Sequence, residues 1–173
     1  LDVSKNTALV DLTCSGDLKT VDLSNNTALE WLQVYGCALT ELDVSANTAL
    51  KELNCGGNPM TSLDLSANTE LQRLSCNYSE LTSLDLSNNT ALVSLSVESC
   101  GLTALDLSKH ANLQELNCAY NALTRLDLHP DAQISDITCN NQFWEGTLET
   151  TVNENGWYEL DLSLITDPAK VIN

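Results

Sequence analysis

One motif recurs along almost the whole chain at intervals of 20 or 21 residues. It is an aspartate between two aliphatic residues, and it occurs at Asp2, Asp22, Asp43, Asp64, Asp85, Asp106 and Asp127. A repeat of this length restricts the chain to few architectures, because each unit can bury its apolar side chains only against its neighbours. The period therefore predicts a solenoid, in which each repeat forms one coil.

Each repeat divides into two halves, and in both halves the apolar residues alternate with polar ones. Leu116 and Cys118 form the apolar pair of one half, and Leu105 and Leu107 form that of the other. A spacing of two is typical of strands, so these pairs are predicted to point inward and residues such as Ala119 outward. Neither half has the length of a helix. We predict a mostly β solenoid with parallel sheets on both long sides and little or no α-helix.

The first of these halves closely resembles the leucine-rich repeat. Its pattern LxxLxCxxNxL is formed by Leu113, Leu116, Cys118, Asn121 and Leu123. The full 21-residue unit, LDLSxNTxLxxLxC, is similar to the repeats of internalin-like bacterial cell-surface proteins over about residues 1–142. The resemblance implies an extracellular or cell-surface location and a partner bound on the sheet of LxxLxC segments. It does not identify that partner, since one fold serves many functions.

The N-terminus begins in the middle of a repeat and has no signal sequence, so we interpret the chain as an excised or mature fragment. Residues 143–173 do not repeat and form a second predicted unit. In it, two strand-like runs, 147–152 and 157–162, flank an Asn155-Gly156 turn signal. We predict a C-terminal β-hairpin cap over the apolar end of the solenoid. Its apolar cover would come from Phe143, Trp144, Trp157, Leu160 and Leu162.

The seven cysteines follow the repeat and not a disulfide framework. Five lie in one inward position (Cys14, Cys55, Cys76, Cys118 and Cys139), and Cys37 and Cys100 occupy the asparagine position of the motif. Stacked Cβ atoms would be about 4.8 Å apart, against about 3.8 Å in a disulfide. We interpret the cysteines as buried free thiols, with structural disulfides as an alternative. No CxxC or His/Cys cluster is present, so we predict no metal site and no cofactor.

Two polar columns accompany the repeat. The loop asparagines Asn6, Asn26, Asn47, Asn68 and Asn89 are predicted to support turns, since asparagine tolerates the left-handed conformation. The repeated aspartates would repel their neighbours by about 0.9 kcal/mol in water, which is tolerable without a cation. We interpret the aspartates as solvated structural residues and keep a calcium ladder as the alternative.

Composition and charge exclude several functions. Only seven residues are Lys or Arg against 24 Asp or Glu, giving a net charge of −17. This balance excludes a nucleic-acid binder and an anionic-membrane binder, and no apolar run is long enough to cross a membrane. Neither His110 nor His129 belongs to a catalytic motif, so no enzymatic activity and no catalytic residue are predicted. We expect a monomer.

Candidate ligand contacts are the outward side chains of the LxxLxC segments. Exposed aromatic residues are typical contact anchors, and Trp31 and Tyr35 flank Gln33 on what we predict to be one strand. The predicted ligand-binding residues are Trp31, Gln33, Tyr35, Asn54, Arg73, Asn77, Tyr78 and Tyr120. The alternative is that the aromatic residues merely cover a sheet end.

The predicted function is therefore a non-enzymatic module that recognises a protein or a glycan at a bacterial surface. A structural spacer that presents other domains is the first alternative, and an accessory domain of an extracellular enzyme is a weaker one. A broad face of small polar residues would favour the spacer, and a contiguous aromatic patch favours recognition.

Overall fold

The computed structural model describes residues 1–142 and the backbone of 149–152 and 158–161, and it shows a β-solenoid. One side of the solenoid is a seven-stranded parallel sheet, here called the main sheet, with one three-residue strand from each coil. Its strands, in spatial order, are β1 (Asp11–Thr13), β2 (Trp31–Gln33), β3 (Glu52–Asn54), β4 (Arg73–Ser75), β5 (Ser94–Ser96), β7 (Glu115–Asn117) and β9 (Asp136–Thr138). The described residues form no helix.

The opposite side carries a shorter sheet, here called the second sheet. It contains the parallel strands β6 (Ala104–Leu107) and β8 (Arg125–Leu128), followed by β11 (Tyr158–Asp161) and β10 (Glu149–Val152). In the earlier coils this side has no paired strands within the described residues, and a groove of about 360 Å³ lies there, lined in part by Val21, Leu42 and Asp64. Parallel sheets thus form on both sides as predicted, although the second one is confined to the later coils.

The core is made of columns of identical residues stacked from coil to coil. The central leucines of β2 to β5 (Leu32, Leu53, Leu74 and Leu95) are at most 2% exposed. In the register of the main sheet, each of these leucines lies beside the leucine of the adjacent strand. Each fully buried leucine contributes about 1.5–3 kcal/mol to stability, so the repeated column is the main source of cohesion between coils. Ala119, which is predicted to point outward, is nevertheless buried, with 1% of its surface exposed. Its methyl group is shorter than Glu98 and Asn140 at the same position of the adjacent coils.

The loop asparagines form a hydrogen-bonded ladder inside the solenoid. Asn26, Asn47, Asn68 and Asn89 are fully buried. In Asn68, Nδ2 donates to the carbonyls of Val44 (3.1 Å) and Asn47 (2.9 Å) in the preceding coil, and the other three repeat this pattern. The predicted structural role is confirmed, but the left-handed conformation is not its basis, since the non-glycine residues with positive φ lie elsewhere. These asparagines instead join consecutive coils.

All seven cysteines have free thiols. Five are buried, and Cys14 and Cys139, near the two ends of the column, are half-buried. The two cysteines at the asparagine position act as weak donors: the Cys37 thiol donates to the Cys14 carbonyl (3.4 Å), as Asn58 Nδ2 does to the Val34 carbonyl (2.7 Å). Burial raises the pKa of the Cys55 thiol to about 12, so this thiol stays neutral.

The repeated aspartates have a local structural role. In Asp22, Oδ1 accepts hydrogen bonds from the backbone N–H (3.0 Å) and the hydroxyl (2.6 Å) of Ser24. The equivalent serine N–H bonds recur in five other coils. These bonds lower the pKa of the carboxyls, hydrogen bonds from serine being the largest cause. The aspartate therefore closes a tight turn in each of these six coils.

The C-terminal segment contributes two strands that lie within the predicted runs. β10 and β11 pair antiparallel, and β11 also pairs antiparallel with β8, placing Leu160 opposite Leu126. The hairpin thus extends the second sheet past the last solenoid strand on that side. The predicted apolar cover lies outside the residues described at side-chain level, so the cap stays a prediction, as does the division into units 1–142 and 143–173.

Candidate recognition surface

The outward face of the main sheet carries most of the predicted ligand contacts. Its register aligns Trp31 with Glu52 and Arg73, and Gln33 with Asn54. The prediction that one strand carries Trp31, Gln33 and Tyr35 is wrong in one respect, because β2 ends at Gln33. Tyr35 follows in a turn, although its backbone neighbours Val34 and Gly36 still donate to the next coil. We call Trp31, Gln33 and Tyr35 the Trp31 patch.

Trp31 is held in place by its neighbours and stays available to a ligand. Its side chain is 39% exposed, and the Lys51 ammonium lies 5.7 Å from the centre of its ring. The same ammonium bonds the Glu30 carboxylate at 2.7 Å. A cation–π contact at a surface contributes about 0.5–1 kcal/mol, enough to favour one ring orientation. The sequence analysis did not identify Lys51 as a neighbour of Trp31. The available signal was that Glu30 and Lys51 are 21 residues apart and therefore occupy the same position in consecutive repeats.

Tyr35 lies over a pair of glycines in the next coil. A Cβ atom at Gly57 would be 3.2 Å from the Tyr35 ring, and one at Gly56 would be 2.7 Å from the Asn77 carbonyl oxygen. Any larger residue at these two positions would displace the ring or the backbone. The glycine pair thus accommodates an aromatic ring that is itself half exposed.

Tyr78 belongs to a small hydrogen-bonded network. Its hydroxyl donates to Glu98 Oε1 (2.9 Å), and Glu98 Oε2 accepts from Asn117 Nδ2 (2.9 Å). Asn77 Oδ1 accepts from the Ser96 hydroxyl (2.9 Å) and the Glu98 N–H (2.7 Å). The bond to Glu98 raises the pKa of Tyr78, because it stabilises the neutral phenol. The network fixes the orientation of an exposed tyrosine.

Tyr78 and Tyr120 adopt an unusual backbone conformation. Their φ angles are 55° and 54°, and Gly36 and Gly57 hold the same position of earlier coils with φ of 64° and 65°. A bulky residue in this left-handed region costs about 1–3 kcal/mol. Both rings are nevertheless about half exposed and so gain little burial in return. We call Tyr35, Tyr78 and Tyr120 the tyrosine strip.

The structure therefore divides the predicted contacts into two groups. The Trp31 patch, with Asn54, lies toward the N-terminal side of the sheet face, and the tyrosine strip with Asn77 follows the edge where the strands end. Arg73 is exposed at the start of β4, but Glu52 lies between it and Trp31. Arg73 is thus two strands from Trp31 on the same face of the main sheet.

Other chemistry on the described residues is limited. Among them, no three or more His, Cys, Asp or Glu side chains are arranged to hold a metal ion. His110 is buried, and His129 Nδ1 accepts the Asp131 N–H at 3.1 Å. Within the same part of the chain, no helix long and apolar enough to span a membrane was found.

Solved structures of bacterial internalins share the architecture of this chain. No protein-family model matches the chain, and no curated protein matches it significantly. Among solved structures, the functional domain of InlJ from Listeria monocytogenes, described as including a cysteine ladder, is 38% identical with a TM-score of 0.80. The match covers 82% of this chain and 32% of that one. The internalin InlF from the same species is 20% identical with a TM-score of 0.74, covering 84% and 46% respectively, and supports the fold alone.

Proposed function

We propose that this internalin-like leucine-rich-repeat chain is a non-enzymatic recognition module of a bacterial surface protein, which binds its partner on the outward face of the main sheet. The observation that carries the proposal is the Trp31 patch. Its two aromatic rings are 39% and 50% exposed, yet Lys51 and the Gly56–Gly57 pair hold them in place. Pre-oriented exposed aromatics suit binding, because little side-chain entropy is lost when a partner docks.

Similarity supports the extracellular location. The InlJ domain shares 38% identity over 82% of this chain, and both contain stacked cysteines. This chain spans about a third of the InlJ chain and less than half of the InlF chain.

The side chains that most often carry catalysis have structural roles here. The buried thiols pack in the core, His110 lies inside the asparagine ladder, and the repeated aspartates bond serines within their own turns. A catalytic nucleophile and base must be within hydrogen-bond reach of each other and of a substrate. Binding is therefore the chemistry that the exposed side chains support best.

The experiment is a binding screen with matched variants. The purified chain would be applied to an array of extracellular proteins and glycans, alongside Trp31→Ala/Tyr35→Ala and the control Thr82→Ala/Ser83→Ala. The control residues are exposed and precede the Asp85 turn, away from the main sheet. We expect the aromatic double variant to lose about 2 kcal/mol of binding, or about 30-fold in affinity, with little change in stability.

Two results would contradict the proposal. Equal affinity of the wild type and the aromatic double variant would move the binding site off the Trp31 patch. Absence of any binder across the array would favour a spacer that holds other domains away from the surface.

A further inference from the structure

We propose that the tyrosine strip, Tyr35, Tyr78 and Tyr120, binds a linear, uncharged polysaccharide that runs across the coils. The inference rests on the proposed recognition function and specifies the chemistry of one ligand. It is carried by three features of the strip: the spacing of its exposed rings, the few charged residues around them, and the amide donors beside them that make no hydrogen bond to another described residue.

The rings recur at a spacing that suits a repeating ligand. Tyr78 and Tyr120 are 42 residues apart, which is two coils, and Tyr35 lies two coils before Tyr78 but one residue earlier in its repeat. Strands of adjacent coils are about 4.8 Å apart, so the rings recur about every 10 Å along the solenoid. A β-linked disaccharide advances a similar distance. A linear glycan could therefore place every second sugar ring, with its face of C–H bonds, on a tyrosine.

The outward positions around the strip carry few charged residues, although the chain has a net charge of −17. From the second to the sixth coil, the central outward positions are Gln33, Asn54, Ser75, Ser96 and Asn117. The next outward positions are Tyr35, Gly56, Asn77, Glu98 and Ala119. Glu98 is the single charged residue among these ten, and both its oxygens accept hydrogen bonds from Tyr78 and Asn117.

The polar groups beside the rings retain hydrogen-bonding capacity. Asn54 Oδ1 accepts the Gly56 N–H at 3.3 Å and Asn77 Oδ1 accepts two bonds, but neither Nδ2 donates to another described residue. Gln33 is exposed, and its side chain makes no hydrogen bond within the described part of the chain. Amide donors next to aromatic rings suit a ligand rich in hydroxyls. A basic protein would instead favour the acidic first positions, Glu52 and Glu115.

The test is calorimetric titration with defined uncharged oligosaccharides: β-1,4-linked glucose, N-acetylglucosamine and mannose, from disaccharide to hexasaccharide. Affinity for at least one series is expected to rise with length, because longer chains reach more rings. Tyr78→Gly should weaken hexasaccharide binding at least tenfold while its thermal midpoint stays equal or rises. The matched control Ser99→Gly also relieves a left-handed residue, with φ of 54°, but removes no ring, so its binding should be unchanged.

Two outcomes would overturn this proposal: no binding to any of the uncharged series, or equal affinity of Tyr78→Gly and the wild type. Binding to charged polysaccharides or to a peptide across the strip would overturn it as well. A protein partner that depends on Trp31 and Tyr35, found without oligosaccharide binding, would leave the recognition module standing and remove only its glycan ligand.

Discussion

At position 110 a histidine occupies the place that asparagine holds in the five preceding coils. It is 1% exposed, and neither ring nitrogen makes a hydrogen bond, although the Leu107 and Leu86 carbonyls lie close enough to favour a protonated ring. Burial lowers the pKa of His110, an effect that these carbonyls and Asp106 partly offset. The ladder between coils is therefore weakest at a titratable residue.

This arrangement predicts a pH-dependent stability. The unfolded chain protonates His110 near its usual pKa of about 6.5, whereas the folded chain does so only at lower pH. The contribution of neutral His110 is thus complete above pH 6.5 and is lost as the pH falls below it. His110→Asn should restore the amide donor, add about 1 kcal/mol at pH 7 and flatten the dependence between pH 7 and 5.

Urea denaturation of the wild type and His110→Asn at pH 7, 6 and 5 measures both effects. His129→Asn removes the other histidine and serves as the control, which should keep the slope of the wild type. An identical decline of stability for the wild type and His110→Asn would show that His110 does not cause it.

At the scale of the element, the hairpin of β10 and β11 matters because it continues the second sheet beyond β8. A chain stopped after Gln142 would leave the outer backbone groups of β8 unpaired. Such an edge promotes association. We expect the truncated chain to lose several kcal/mol, since each large apolar side chain uncovered costs about 1.5–3 kcal/mol.

Thermal unfolding and analytical ultracentrifugation of the truncated and full chains test this expectation. A lower midpoint with concentration-dependent association supports the cap. A truncated chain that remains monomeric with an unchanged midpoint would show that residues 143–173 are an appended linker.

Elements with a strict period were predictable, because alternation determines which side chains face the core. The inward positions of Leu105 and Leu107 followed from spacing alone and are buried. Two features were not predictable from the repeat: β2 ends before Tyr35, and the second sheet is restricted to the later coils. Both depend on distances between coils, which the sequence of one repeat does not encode. The left-handed backbone conformation of Tyr78 and Tyr120 was not predicted. Gly36 and Gly57 at the same repeat position were a usable signal, because glycine readily adopts this conformation.

For the whole molecule, the net charge is −17, and six of the seven repeated aspartates accept a hydrogen bond from the serine two residues later. Because the serine bonds already stabilise these carboxylates, we expect calcium to be dispensable. Thermal midpoints in excess calcium and in chelator should agree. A shift of more than about 5 °C, or on the order of 1 kcal/mol or more, would instead indicate a cation ladder.

The central claim is that the main-sheet face, and not the second side, is the recognition surface. Hydroxyl-radical footprinting of the chain bound to the strongest binder from the array tests it most directly, because tryptophan and tyrosine are efficiently oxidised when exposed. Oxidation of Trp31, Tyr35 and Tyr78 is expected to fall on binding, while that of the exposed Leu1 stays unchanged. Unchanged oxidation of these three aromatic residues in the saturated complex would contradict it.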